Sequence, residues 1–391
     1  MRKDVSLWKR DNISANSRCN RKGDSMDKNI KVLVLPNDPL SIYMKQGNFE
    51  QFIERYRYYA DNLGKIYILN FDTEKIDYKY PNIILINKSL PNNKLYRLFY
   101  QIFSTYKTSL EIKTDLIRTM DGGNFIRGTI AGIAGKLTGK PVVISIHGYH
   151  QEFADKFGYK WYHNIAAKIL EKITSILGDM FFVVDPTYIK KLRWKNISHI
   201  PNYVDCSVFK PMRIKKKWAC IYVGALHPKK GIKYLVEALK LVRNEFPSAK
   251  FAIAGHGALE KEIRNTEGID YLGPVLYKQL PKYYSQAKMF LTASLWESFC
   301  MPVIEAQACE IPIVAFDLFP FHDNTIPGKT SLLCNIRNSE EMAQNIIKLI
   351  SDNNKCKKMG KAGCIFVREN FDKEKILENE LRLIRNIIKS N

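Results

Sequence analysis

The stretch CIYVGALHPKKGIKYLVEALKLVRNEFPSAKFAIAG, residues 220–255, holds one full period of the fold. CIYVG is an apolar run of strand length that ends on glycine, and FAIAG (251–255) is a second. Between them, residues 232–244 carry Leu235, Ala238, Leu239 and Val242 on one helical stripe. Apolar residues that return every three to four positions mark a helix with one buried face, whereas short continuous apolar runs mark strands covered on both sides. Strands of that kind separated by helices form a parallel sheet with helices on both faces.

The period extends in both directions. Downstream, IDYLG (269–273), KMFLT (288–292) and IPIVAF (311–316) are further strand-length runs. Upstream lie KVLVLP (31–36), IYILN (66–70), NIILI (82–86), DLIRT (115–119), VVISIHG (142–148) and MFFVV (180–184), with helical spacing over 125–137 and 161–173. The proline-containing, basic stretch 197–217 has little periodicity and separates the two series. The expected organisation is a basic leader over 1–29, a doubly wound α/β domain over 30–200, a linker over 201–217, and a second such domain over 218–371. A final amphipathic helix within 372–391 is expected to pack back on the first domain. A chain of 391 residues exceeds the ~250–300 at which single cores stop growing, so two domains are also expected from length.

Composition narrows the class. Hydrophobic residues make up 46% and charged residues 26%, ordinary values for a globular protein, and no run approaches the ~18 apolar residues of a membrane span. The first residues are polar and charged, without the apolar segment of a secretory signal. Eight cysteines are scattered without a C-x-x-C pair, which suggests neither a disulfide framework nor a zinc site and fits a reducing cytoplasm. The net charge of +22 favours an anionic partner, be it phosphorylated substrate, acidic membrane or nucleic acid, or else reflects a lysine-rich surface that keeps the chain soluble.

Ligands of open parallel sheets bind beyond the carboxyl ends of the strands, so two such domains facing each other define a cleft. After KMFLT comes SLWESFCMPVIEAQACEIPIV (294–314), with Glu305 inside an apolar run and Glu297 eight positions before it. Pro302 suits a helix start, and the unpaired amides around Phe299 to Val303 would offer partial positive charge to a phosphate or a sugar hydroxyl. A carboxylate accepts two hydrogen bonds side by side, which suits a vicinal diol. The competing reading makes Glu297 a charge that complements the helix dipole and Glu305 a solvated residue; the apolar neighbours Val303, Ile304 and Ala308 weigh against it.

The E-x7-E spacing after a strand resembles the signature of retaining GT-B glycosyltransferases, in particular glycosyltransferase family 4. The resemblance extends over most of the chain from about residue 30, through GKPVVISIHG, HIPNYVD, IYVGALHPKKGIKYLVEAL, FAIAGHGALEKEI and IDYLGPVLYKQLPKYYSQAKMFLTAS in the same order. It implies a GT-B fold and donor binding by Gly224, Lys230, Glu297, Glu305 and the amides of Phe299, Cys300 and Met301. Glu305 would hold the ribose of a nucleotide-sugar, Glu297 the donor sugar and Lys230 the diphosphate. His147, Glu297 and Lys230 are the implied catalytic residues, and Asp121 and Gly122 form a second loop on the acceptor side.

Several positions depart from that pattern. Ala225 stands where an arginine is usual, leaving phosphate binding to Lys230 with His227 or Lys229; Cys300 and Glu310 replace glycines; and MKQGNFE (44–50) occupies the place of a glycine pair. The implied activity is retaining transfer from a UDP- or GDP-sugar to a glycan or lipid-linked acceptor in surface polysaccharide or glycolipid synthesis. No cofactor is implied, and the lack of an Asp-x-Asp motif at a strand end implies no metal. Basic and aromatic residues interleave in 94–107 and 156–172, either as helices packed on the core with a solvated basic face or as a contact with the inner face of a membrane. The rivals are a sugar-nucleotide epimerase of the same fold, a non-catalytic relative, and a basic nucleic-acid-binding protein, the last without a recognition motif.

Overall fold

A computed structural model of the chain describes residues 29–45, 49–74, 76–149 and 160–391. The leader, apart from residue 29, lies outside the described residues, as do parts of 44–50 and 156–172. The first half contains β1 (Ile30–Leu35), α1 (Phe49–Asn62), β2 (Gly64–Phe71), β3 (Ile83–Lys88), α2 (Lys94–Ile112), β4 (Leu116–Asp121), α3 (Ile126–Thr138), β5 (Val142–Ile146), α4 (Trp161–Leu177), β6 (Met180–Val183) and β7 (Ile197–His199). The second half contains β8 (Trp218–Val223), α5 (Ile232–Glu245), β9 (Phe251–Ala254), β10 (Ile269–Gly273), β11 (Ala287–Thr292), α6 (Met301–Ala308), β12 (Ile313–Phe316), β13 (Ser331–Cys334), α7 (Ser339–Ser351), α8 (Asn353–Asn370) and α9 (Lys373–Ser390).

The strands form a seven-stranded sheet in the order β3-β2-β1-β4-β5-β6-β7 and a six-stranded sheet in the order β10-β9-β8-β11-β12-β13. Every pairing between these strands is parallel. Both sheets therefore reverse direction at an equivalent place, between β1 and β4 and between β8 and β11. The architecture is α/β with two Rossmann-like doubly wound domains. β7 and β13 were not anticipated from the sequence. Each is short and at a sheet edge, and β7 opens the stretch read as aperiodic.

Helices cover both faces of each sheet, which accounts for the continuous apolar strands. In the first sheet α2 and α3 pack on one face and α1 on the other. In the second, α5 and α7 cover one face and α6 and α8 the other. Helix α9 does not stay with the second sheet. Its Ile376, Leu377, Leu381, Ile384 and Ile387 join Phe52, Tyr56 and Tyr59 of α1 in the core of the first.

The crossing is tied down twice. Val204 N–H donates to the Phe371 carbonyl at 2.9 Å and Lys373 N–H donates to the Val204 carbonyl at 3.0 Å, so the two chain segments that pass between the domains run side by side. The Lys373 ammonium bonds Asp205 and, at 3.1 Å, Glu54. Deeper, the fully buried carboxylate of Glu380 pairs with the buried guanidinium of Arg118 and lies 3.3 Å from Arg55. Arg118 also donates to Tyr59 Oη at 3.0 Å and Ser145 Oγ at 3.1 Å. Burial alone would raise the Glu380 pKa, but the two guanidiniums win and hold it below the usual carboxylate range.

Removing one member of such a cluster strands the others in a low dielectric. Glu380→Ala is expected to cost roughly 3–5 kcal/mol in urea denaturation. Because the folded-state pKa is depressed, the contribution is present above the ordinary carboxylate range and fades as pH falls through it; the variant should lack that part of the acid sensitivity.

Candidate functional site

The ends of β8 and β11 lie side by side in the second sheet, and the loops that leave them are locked together. After β8, Gly224 turns the chain with φ +157°, and Pro228–Lys230 form one turn of 3-10 helix capped by His227, whose Nδ1 accepts from Lys229 N–H at 3.2 Å. Gly231 follows at φ +64°, and a Cβ there would lie 1.8 Å from the Ala293 carbonyl, so only glycine permits this approach. Leu295 N–H donates to the Lys229 carbonyl at 3.0 Å. This contact brings Lys230 Nζ to 2.6 Å from Glu297 Oε1, which also accepts from Ser294 Oγ at 2.7 Å. Burial pulls the Lys230 pKa down, but the Glu297 carboxylate outweighs it and raises it, so the ammonium stays charged. Ser294, which sequence reasoning missed, orients the carboxylate. His227 uses one ring nitrogen to cap its own turn, which reduces what it can offer a phosphate.

Glu305 is 3% exposed, one turn into α6, and the solvated alternative is thereby discarded. It accepts a hydrogen bond from Tyr284 Oη at 2.8 Å. Burial pushes its carboxyl up to about 7, against the Tyr284 bond, which favours the charged form. α6 begins at Met301 rather than at Pro302, which takes the second position and has no N–H, while Val303 N–H donates to the Cys300 carbonyl at 3.2 Å. Phe299 is buried and packs edge-on against Phe371 at 5.7 Å between ring centroids, so its side chain belongs to the core. Cys300 lies within electrostatic reach of Glu297, Lys230 and Glu305, the three polar groups of the site.

Cys300 and Glu310 both adopt left-handed backbone, at φ +69° and +60°. The positions expected to carry glycine are thus ones where glycine would be unstrained, and this chain adopts the conformation with a Cβ in place.

Across the cleft, His147 follows β5 and lines a cavity of about 200 Å³ with Arg55, Met120, Tyr203 and, from the other domain, Met301. Its Nε2 is buried and has no hydrogen-bond partner among the described residues. Burial, reinforced by Arg55 and Arg118, lowers the His147 pKa to about 3, so the imidazole is neutral at physiological pH. Arg55 and Tyr203 gave no sequence signal; Arg118 did, as a charge within the apolar strand DLIRT.

Asp121 does not face the cleft as an acceptor-side group. Its buried carboxylate accepts from the amides of Gly123 at 2.8 Å, Phe125 at 2.9 Å and Gly128 at 2.9 Å, and so caps the start of α3. Gly122 stays exposed at the loop, its amide bound to Asn37 Oδ1 at 3.0 Å. Among the described residues no group of three or more His, Cys, Asp or Glu is placed to hold a metal ion.

Residues 207–364 match the family model described as glycosyl transferases group 1. The chain is 27% identical over 255 residues to the Escherichia coli UDP-Gal:alpha-D-GlcNAc-diphosphoundecaprenol alpha-1,3-galactosyltransferase, covering 58% of this chain and 64% of that protein. It is 22% identical over 381 residues to the Staphylococcus aureus capsular polysaccharide biosynthesis glycosyltransferase CapM, covering 90% of this chain and 96% of that one. Among solved structures, sucrose-phosphate synthase from Thermosynechococcus elongatus superposes with a TM-score of 0.75 at 18% identity, over 93% of this chain and 100% of that chain. The fold is GT-B.

Two outcomes follow from the site's strain and electrostatics. Cys300→Gly should leave stability within about 1 kcal/mol of the parent, relief of left-handed strain offsetting the greater freedom of unfolded glycine, whereas Cys300→Val should lower it. Because the folded-state pKa of Glu305 is raised, the native protein holds a proton that the unfolded chain loses between the ordinary carboxylate range and about 7. Stability therefore declines as pH rises through that window, and thermal midpoints of Glu305→Gln should follow a flatter profile.

Proposed function

We infer that this chain, which belongs to the GT-B glycosyltransferase superfamily, transfers a sugar with retention of anomeric configuration from a nucleotide-sugar to a lipid-linked or glycan acceptor in polysaccharide or glycolipid synthesis. The observation that carries the reading is the Lys230–Glu297 pair, held at the ends of β8 and β11 by Gly231 and Ser294 and followed within one helix by the buried Glu305.

In this reading the diphosphate of the donor is drawn to Lys230 and to the amides of Phe299, Cys300 and Met301 ahead of Pro302, which oppose the negative charge that grows on the leaving group as the anomeric C–O bond breaks. Glu297 is the natural reader of donor-sugar hydroxyls, since it is already oriented by Ser294. Glu305, with Tyr284 on one oxygen, keeps acceptor capacity for a ribose diol in its ionised form. Neutral His147 serves as a hydrogen-bond partner for a sugar hydroxyl and not as a cationic acid. The reaction requires no resident metal in this scheme. Ala225 leaves Lys230 as the principal cation on the diphosphate. The galactosyltransferase relative, whose name specifies a UDP-sugar and a diphosphoundecaprenol acceptor, supports a UDP donor and a lipid diphosphate acceptor.

Incubation with a panel of UDP- and GDP-sugars, with and without a membrane extract, tests the reading through nucleoside diphosphate release. Release that depends on acceptor, with the donor's anomeric configuration found in the product by NMR, supports it; an isomerised nucleotide-sugar without release would assign an epimerase. Lys230→Ala should lower kcat/KM by roughly 100-fold or more. Donor affinity should weaken as pH falls below about 7, where Glu305 gains its proton.

A further inference from the structure

The apolar residues that the core does not use are gathered on one side of the first domain. Helix α4 has 17 residues, of which only Ala167 and Thr174 are buried. Its outer surface carries Trp161 at 72% exposure, Ile165 at 48%, Ile169 at 55% and Ile176 at 65%, spaced as one stripe. Helix α2 presents a matching row with Phe99 at 68% and Phe103 at 61%. Both helices pack against α3, so the two rows share one side of the sheet. A monomeric soluble surface rarely keeps this many large side chains in contact with water.

Charge says what covers them. Lys160, Lys168 and Lys172 are exposed on or beside α4, whose one acid, Glu171, is half-buried and bonded by Tyr149. The whole chain carries +22. A second copy laid on this face would set lysine against lysine, whereas anionic headgroups neutralise the lysines while the acyl boundary takes the aromatic and aliphatic groups. No described helix is long and apolar enough to cross a membrane, so the contact is one of lying on the surface.

We propose that the outer face of α2 and α4 docks on an anionic lipid bilayer, with Phe99, Phe103, Trp161 and Ile169 at headgroup depth and Lys160, Lys168 and Lys172 over acidic lipids. Both helices follow parallel strands, so their first turns lie at the carboxyl edge of the sheet, where His147 also lies. The bilayer contact thus adjoins the cleft and presents a lipid-anchored headgroup to it. This deepens the proposed function by naming the surface on which its acceptor resides, yet the contact itself needs no catalysis.

The test is co-sedimentation of the full chain with phosphatidylcholine vesicles, with or without phosphatidylglycerol, at low and high salt. Salt-sensitive binding that requires phosphatidylglycerol is expected. The double variants Phe99→Ser/Phe103→Ser and Trp161→Ser/Ile169→Ser, and separately Lys168→Glu/Lys172→Glu, should each lower the partition coefficient by roughly tenfold or more. Circular dichroism and nucleotide-sugar binding should stay at parent levels, which separates failure of this surface from failure of the transferase reading. Equal binding to neutral vesicles, binding unaffected by the variants, or a concentration-dependent dimer in light scattering that the apolar variants abolish would overturn the proposal.

Discussion

One carboxylate, Glu380, binds the two ends of this architecture together. It comes from α9, beyond the second sheet, and is the acid paired with two buried guanidiniums of the first domain, Arg55 and Arg118. Two cations against one anion leave a net positive charge behind β5, which reinforces the burial that keeps the neighbouring imidazole of His147 neutral. The same contact seats the apolar stripe of α9 on α1, so packing and site electrostatics share a single origin.

The rest of the chemistry follows from where two parallel sheets can be open. Both faces of each are covered by helices, so water and ligands reach the backbone only at the strand ends. There the second domain offers a charged pair, Lys230 and Glu297, and a buried carboxyl, Glu305, whose environment sets it apart from its partner in the motif. Two acids eight residues apart thus have different surroundings. Glu297 is compensated by a cation, while Glu305 has only the Tyr284 hydroxyl.

Much of this was legible in the residues. Eleven strand-length runs, among them CIYVG and VVISIHG, all correspond to strands, because strands buried on both faces must be continuously apolar. β7 and β13 escaped because short edge strands need no such run. Glu305 was legible for the reason that makes it unusual, a charge amid Val303, Ile304 and Ala308, and Arg118 carried the same mark without being read. Asp121 was misassigned because a carboxylate at a strand end looks alike whether it faces a ligand or caps the next helix; three amides decide the matter. The partners Ser294, Tyr284 and Arg55 were hidden because hydrogen-bond geometry across loops has no period.

The return of α9 to the first domain also bears on how the polypeptide acquires its shape during synthesis. Arg55 and Glu380 are 325 positions apart, so a ribosome must deliver the whole second domain before the first can close its interior. Until then Phe52, Tyr56 and Tyr59 lack the helix that shields them, and two guanidiniums lack their counter-ion. Contacts so distant in the chain slow the search for the native state. The nascent first half therefore keeps that apolar face uncovered until residues made long after it arrive.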